Sequence, residues 1–179
     1  MDHINWNEVS DQPERPEKGG YITKITAVED NTEKKCLFIN WDFIDGPFKG
    51  ANQDAASRLG FWPMKIARSY KPTALSFFKA FKTAVEDSNR GYQFNNDPQS
   101  LVGKYIGVVL GEEAYLSKKQ EIKTRTYVYQ TRSVQAIQSG DYSIPDFKPL
   151  SETASAPNPF SNVPTGFAPV DDDDSECPF

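Results

Sequence analysis

The stretch Lys71-Pro72-Thr73-Ala74-Leu75-Ser76-Phe77-Phe78-Lys79-Ala80-Phe81-Lys82-Thr83-Ala84-Val85-Glu86-Asp87-Ser88-Asn89-Arg90-Gly91 decides the architecture, because it is the one clear helical pattern between runs of strand character. Proline suits the first turn, Leu75, Phe78, Phe81 and Val85 recur at three- and four-residue spacing, and Gly91 supplies a stop. The pattern predicts a helix whose phenylalanines face a core. Before it, Tyr21 to Val28 is rich in β-branched residues and predicts a strand. After the polar turn Glu29–Glu33, Leu37, Ile39, Trp41 and Phe43 alternate with Cys36, Phe38, Asn40 and Asp42, so a second strand follows with its Leu/Ile/Trp/Phe face inward. Residues 59–67 read as a short, irregular third strand in which Pro63 forces a bulge or an edge. Beyond the helix, Lys104 to Leu110 predicts a strand bent by its glycines, residues 111–120 a polar loop, and Ile122 to Ile137 a long last strand.

That order predicts a mainly β protein, a five-stranded β-barrel with one helix between the third and fourth strands, which is the arrangement of an OB-fold. The barrel is expected over residues 17–148. Residues 1–16 are polar with two prolines and read as an N-terminal arm. Residues 149–170 have the Ser, Pro, Ala, Asn and Gly composition of a flexible linker. Residues 171–179 form an acidic tip, so the chain is expected to end in a disordered acidic C-terminal tail.

The net charge of −5 hides an asymmetry: residues 151–179 carry six acids and no Lys or Arg, whereas residues 19–150 carry 18 bases against 14 acids. The body is basic and the ends are acidic, which suits an anionic partner for the body. His3 is the only histidine, and Cys36 and Cys177 stand far apart, so no metal and no cofactor are expected. No P-loop or Ser/His/Asp set is present, and the chain is not expected to be an enzyme. With no signal peptide or long apolar run, no membrane partner is expected, and a cytoplasmic location is expected.

Two segments combine cations with flat rings, as non-specific binding of single-stranded nucleic acid requires. The first holds Phe48, Lys49, Arg58, Phe61, Trp62, Lys65, Arg68, Tyr70 and Lys71, with Phe61 and Trp62 equally able to plug a barrel. In the second, Lys123, Arg125, Tyr127 and Tyr129 alternate onto one strand face; a solvated sheet face would carry similar residues.

The ending Asp171-Asp172-Asp173-Asp174-Ser175-Glu176-Cys177-Pro178-Phe179 resembles the C-terminal tip of bacterial single-stranded-DNA-binding proteins, with Cys177 where an aliphatic residue usually stands. The body, with Gly19-Gly20-Tyr21, Gly111-Glu112-Glu113 and Lys123-Thr124-Arg125, is similar to phage-encoded members. The resemblance implies an OB-fold that coats single-stranded DNA during replication or recombination in a bacterial host. It also implies a tip (Asp171, Asp172, Asp173, Asp174, Pro178, Phe179) that recruits partner enzymes, and homo-oligomers fall within the expected range. Strand annealing, RNA binding, and an acidic-tailed adaptor that mimics DNA stand as alternatives.

Overall fold

The structure is a computed structural model that describes residues 15–117 and 119–150. The arm up to residue 14, most of the linker, the acidic tip and Lys118 lie outside the described residues. Within them the chain forms β1 (Gly19–Asn31), β2 (Cys36–Phe43), α1 (Ala51–Leu59), β3 (Lys65–Ser69), α2 (Leu75–Ser88), β4 (Tyr105–Leu116), β5 (Ile122–Arg132) and α3 (Val134–Ser139), with 3-10 turns at Pro72–Ala74 and Pro98–Leu101. The five strands make one sheet in the order β3-β2-β1-β4-β5, and every pairing is antiparallel.

The core follows from the alternation in β2. Leu37, Ile39, Trp41 and Phe43 are buried with Ile25, Ile66, Ile106, Val108 and Leu110, and α2 closes the cluster with Phe81 and Val85. Edge-to-face contacts order the rings at one end, Tyr21 on Phe43 at 5.2 Å and Trp41 on Phe43 at 5.1 Å. The register skips Thr26 of β1 against β2 and Tyr129 of β5 against β4, two bulges that bend β1 and β5.

The sequence expectation is corrected in five places. The sheet is not closed: β3 and β5 are its two edges, and at this seam the Arg68 guanidinium donates to Thr131 Oγ1 at 3.2 Å. The protein has three α-helices among the described residues, not one. α1 escaped the sequence reading because it has no apolar stripe. It is held instead by polar anchors: Asp42 accepts the Asn52 and Gln53 N–H groups, and the Asn52 amide donates to the Trp41 and Met64 carbonyls at 2.6 and 2.8 Å. β3 accordingly starts at Lys65, later than expected. β4 continues through the supposed polar loop to Leu116, since pairing with β5 satisfies its backbone over that length.

β5, finally, stops at Arg132. Ser133 caps α3 by accepting the Ala136 N–H at 3.2 Å, and Gly140 ends that helix at a φ of 74°. α3 and the residues after it then lie across the outer side of β1 and β4. Glycines make the approach close: a Cβ on Gly107 would collide with the Ile137 side chain and come within 2.9 Å of the Arg132 carbonyl, and one on Gly20 would lie 2.5 Å from the Tyr142 ring. Farther on, Lys148 N–H donates to the Glu112 carbonyl at 3.0 Å and its own carbonyl accepts the Ala114 N–H at 2.9 Å. β4 is therefore covered on both faces along much of its length.

Candidate nucleic-acid interface

The outer face of β1, β2 and β3 is set by register. Lys24 stands opposite Asp42, and Asn40 opposite Lys65, while the intervening Ile25, Ile39, Trp41 and Ile66 point into the core. Beside this face an open groove of about 800 Å3 is walled by Lys24, Lys49, Gln53, Trp62, Gly103 and Tyr105. Lys24 Nζ sits 6.0 Å from the centre of the Tyr105 ring, which is 43 % exposed, and Lys65 Nζ sits 4.5 Å from the Phe38 ring. Asp42, the acid within the groove, is committed to backbone N–H groups of Phe43, Asn52 and Gln53. Among the described residues Lys24, Lys49 and Lys65 form no ion pair with a carboxylate.

The sequence-predicted residues divide. Lys49 and Trp62 line the groove, and Lys65 lies on the adjoining sheet face. Arg58 and Phe61 are exposed near the C-terminal end of α1, Phe61 to 62 %. Phe48 instead packs on Tyr21 and Phe43, with ring centres 6.4 and 6.1 Å away, and belongs to the edge of the core. Tyr70 packs on Phe78 and its hydroxyl donates to Asp30 at 2.9 Å; burial, then that hydrogen bond, pushes its pKa up. Lys71 leads into the 3-10 turn, its N–H donating to Ser69 Oγ. Arg68 points inward and reaches the seam between β3 and β5.

In the second segment, Lys123, Arg125 and Tyr127 do share a face, opposite Tyr115, Glu113 and Gly111 of β4. That face is already occupied. Arg125 Nε donates to Glu113 at 2.7 Å, Lys123 pairs with Glu121 at 3.3 Å, and Lys148 Nζ lies 5.5 Å from the centre of the Tyr127 ring. Burial, with the negative charge of Glu113, raises the Tyr127 pKa. The register shift at Val109/Leu110 moves Tyr129 off this row and toward the seam, where it is 46 % exposed. The two basic segments thus do not form one groove. They meet at the seam, through Arg68 and Tyr129.

Lys24, Tyr105 and Phe38 were missed by the sequence reading. Lys24 was readable as the polar position between Thr23 and Ile25, but its partner Tyr105 is brought to it by the β1–β4 pairing, which no local pattern announces. No protein-family model matches the chain, and no curated protein matches it. Among the described residues no group of three His, Cys, Asp or Glu side chains could hold a metal ion, and no helix is long and apolar enough to cross a membrane.

Proposed function

We propose that this protein binds single-stranded DNA without sequence preference, in the manner of phage-encoded single-stranded-DNA-binding proteins, and that its acidic, Phe-terminated tip recruits replication or recombination enzymes. The sheet order 3-2-1-4-5 with α2 between β3 and β4 is the order of an OB-type barrel opened between its third and fifth strands, and on this reading the fold is an OB variant. The observation that carries the proposal is the groove beside β1 and β2. It sets Lys24 and Lys49, free of carboxylate partners among the described residues, beside the half-buried Trp62 and the exposed Tyr105 ring, with Lys65 and Phe38 on the adjoining sheet face. Lysines follow a phosphate backbone and rings accept any base, so this combination favours single strands over duplexes. Binding, rather than catalysis, is the role that suits it.

The test is a gel shift with poly-dT, duplex DNA and RNA of equal length. Strong retardation of poly-dT alone supports the proposal. Equal retardation of RNA assigns the groove to single strands in general. An absence of any shift overturns it in favour of an adaptor.

A further inference from the structure

We propose that the open seam between β3 and β5 is a second contact point for the strand, in which the Arg68 guanidinium takes a backbone phosphate and Phe77 and Tyr129 receive the neighbouring base. This rests on the single-strand reading above and deepens it.

The seam is a cavity of about 460 Å3 lined by Arg68, Ser69, Phe77, Tyr129, Thr131 and Arg132, among others. Arg68 stands opposite the core residue Leu37 in the β2–β3 register, a place where an apolar side chain would avoid the cost of dehydrating a charge. Its Nη1 donates to the Ala67 carbonyl at 2.8 Å and its Nη2 to Thr131 Oγ1 at 3.2 Å. Its Nε is sealed from solvent and has no acceptor. Among the described residues no carboxylate pairs with it. Burial draws its pKa down to about 10, which still leaves the guanidinium charged at neutral pH. A buried, charged fork with an unused donor is satisfied by an anion that can accept from two nitrogens at once, and a phosphate does so.

The rim indicates what the phosphate is attached to. α2 turns Phe81 and Phe78 toward the core but leaves Phe77 54 % exposed at the cavity, and Tyr129 faces it from β5. Two exposed rings beside a cation form a stacking platform for a base. Arg132 is shared with a neighbouring cleft that Asp87 and Asp141 also line, whereas Arg68 belongs to the seam alone.

The experiment uses the full chain, 15N-labelled, in a phosphate-free buffer of low salt. The Arg68 Nε–H signal is assigned by its loss in Arg68→Lys and followed during titration with inorganic phosphate and, separately, with a dT oligomer. Both ligands are expected to move it. Phe77→Ala and Tyr129→Ala, at exposed positions that leave the thermal midpoint nearly unchanged, are each expected to weaken dT binding about five- to tenfold. If the dT oligomer binds while the Arg68 signal stays still and both rim variants bind as the parent does, the seam is overturned and the groove reading stands. A shift with inorganic phosphate but none with bound dT overturns the strand as the source of the anion. Failure of the dT oligomer to bind at all overturns both readings together.

Discussion

The salt dependence of single-strand binding can be worked from the groove itself. Lys24 and Lys49 in the groove and Lys65 on the adjoining sheet face have no carboxylate partner among the described residues, whereas Lys123 and Arg125 are already paired with Glu121 and Glu113. Each phosphate neutralised on a single strand contributes about −0.7 to the slope of log K against log salt, so three contacts give a slope of about −2. Raising salt from about 50 to about 200 mM should then weaken binding roughly twenty-fold. Lys24→Gln should lower the magnitude of the slope by about 0.7, because one contact is lost. Arg125→Gln should leave the slope unchanged, since its charge is spent on Glu113. The assay is fluorescence anisotropy of a labelled dT oligomer across a salt series for the parent and the two variants. A flat slope for the parent, or a loss of about 0.7 in Arg125→Gln with none in Lys24→Gln, refutes the assignment of the strand to this groove.

Other consequences are as direct. Trp62→Ala or Tyr105→Ala should each cost about 1–3 kcal/mol of dT binding if their rings stack on bases, read by the same anisotropy measurement; unchanged affinity in both would return the rings to a structural role. Phe81→Ala removes a ring that is 1 % exposed and should lower the unfolding free energy by about 3–5 kcal/mol in a denaturant titration, whereas an effect below about 1 kcal/mol would mean that α2 faces the wrong way. Gly107→Ala drives a methyl into Ile137 and the Arg132 carbonyl and should cost about 1–3 kcal/mol; a neutral result would show that α3 is not seated on β4. The Glu86 carboxyl is held below its usual pKa by the Phe94 N–H at 2.8 Å and then by Lys82 at 3.0 Å. Its contribution to stability is therefore complete above the unfolded carboxylate value of about 4.3 and fades as pH falls through the lower folded value. Glu86→Gln should flatten the acid limb of the stability curve at those pH values, and an identical limb in the variant would remove Glu86 as a cause.

What was legible in the sequence was what depends on local periodicity. The alternation of β2 names Leu37, Ile39, Trp41 and Phe43 as core, and all four are buried; the helical stripe finds Phe81 and Val85. The same stripe overreaches at its first turn, where Leu75 is 51 % exposed because α2 meets the sheet only from Phe78 onward, and the expectation that the helix's phenylalanines face the core fails at Phe77, which lies off the stripe and is exposed. α1 was illegible for the opposite reason: its tether is one buried asparagine and one capping aspartate, and neither makes a period. The candidate site suffered most, since a basic, aromatic segment looks the same whether its charges are free or paired. Glu113 neutralises Arg125 only because β4 runs past Gly111 and lays its residues from Gly107 to Leu116 beside β5, a fact of pairing and not of composition.

The covered and uncovered faces of the sheet explain why the groove falls where it does. Gly20, Gly107 and Gly111 form the floor on which Tyr142, Ile137 and Pro145 rest, so α3 and the residues just after it occupy the outer side of β1 and β4. Lys148 then completes the cover by pairing beside Glu113. Side chains that large cannot be displaced by a passing strand without exposing the apolar surface they bury, whereas the β1–β2–β3 side offers lysines and ring faces already in water. On the proposed reading a bound strand would run from Tyr105 and Lys24 past Trp62 to Lys65, and beyond Lys65 the next cation of β3 is Arg68, which turns inward at the seam. The glycines that admit residues 134–148 on one side of the sheet thus leave the basic path on the other, and on the proposed reading it leads to the cavity where a buried guanidinium has a donor to spare.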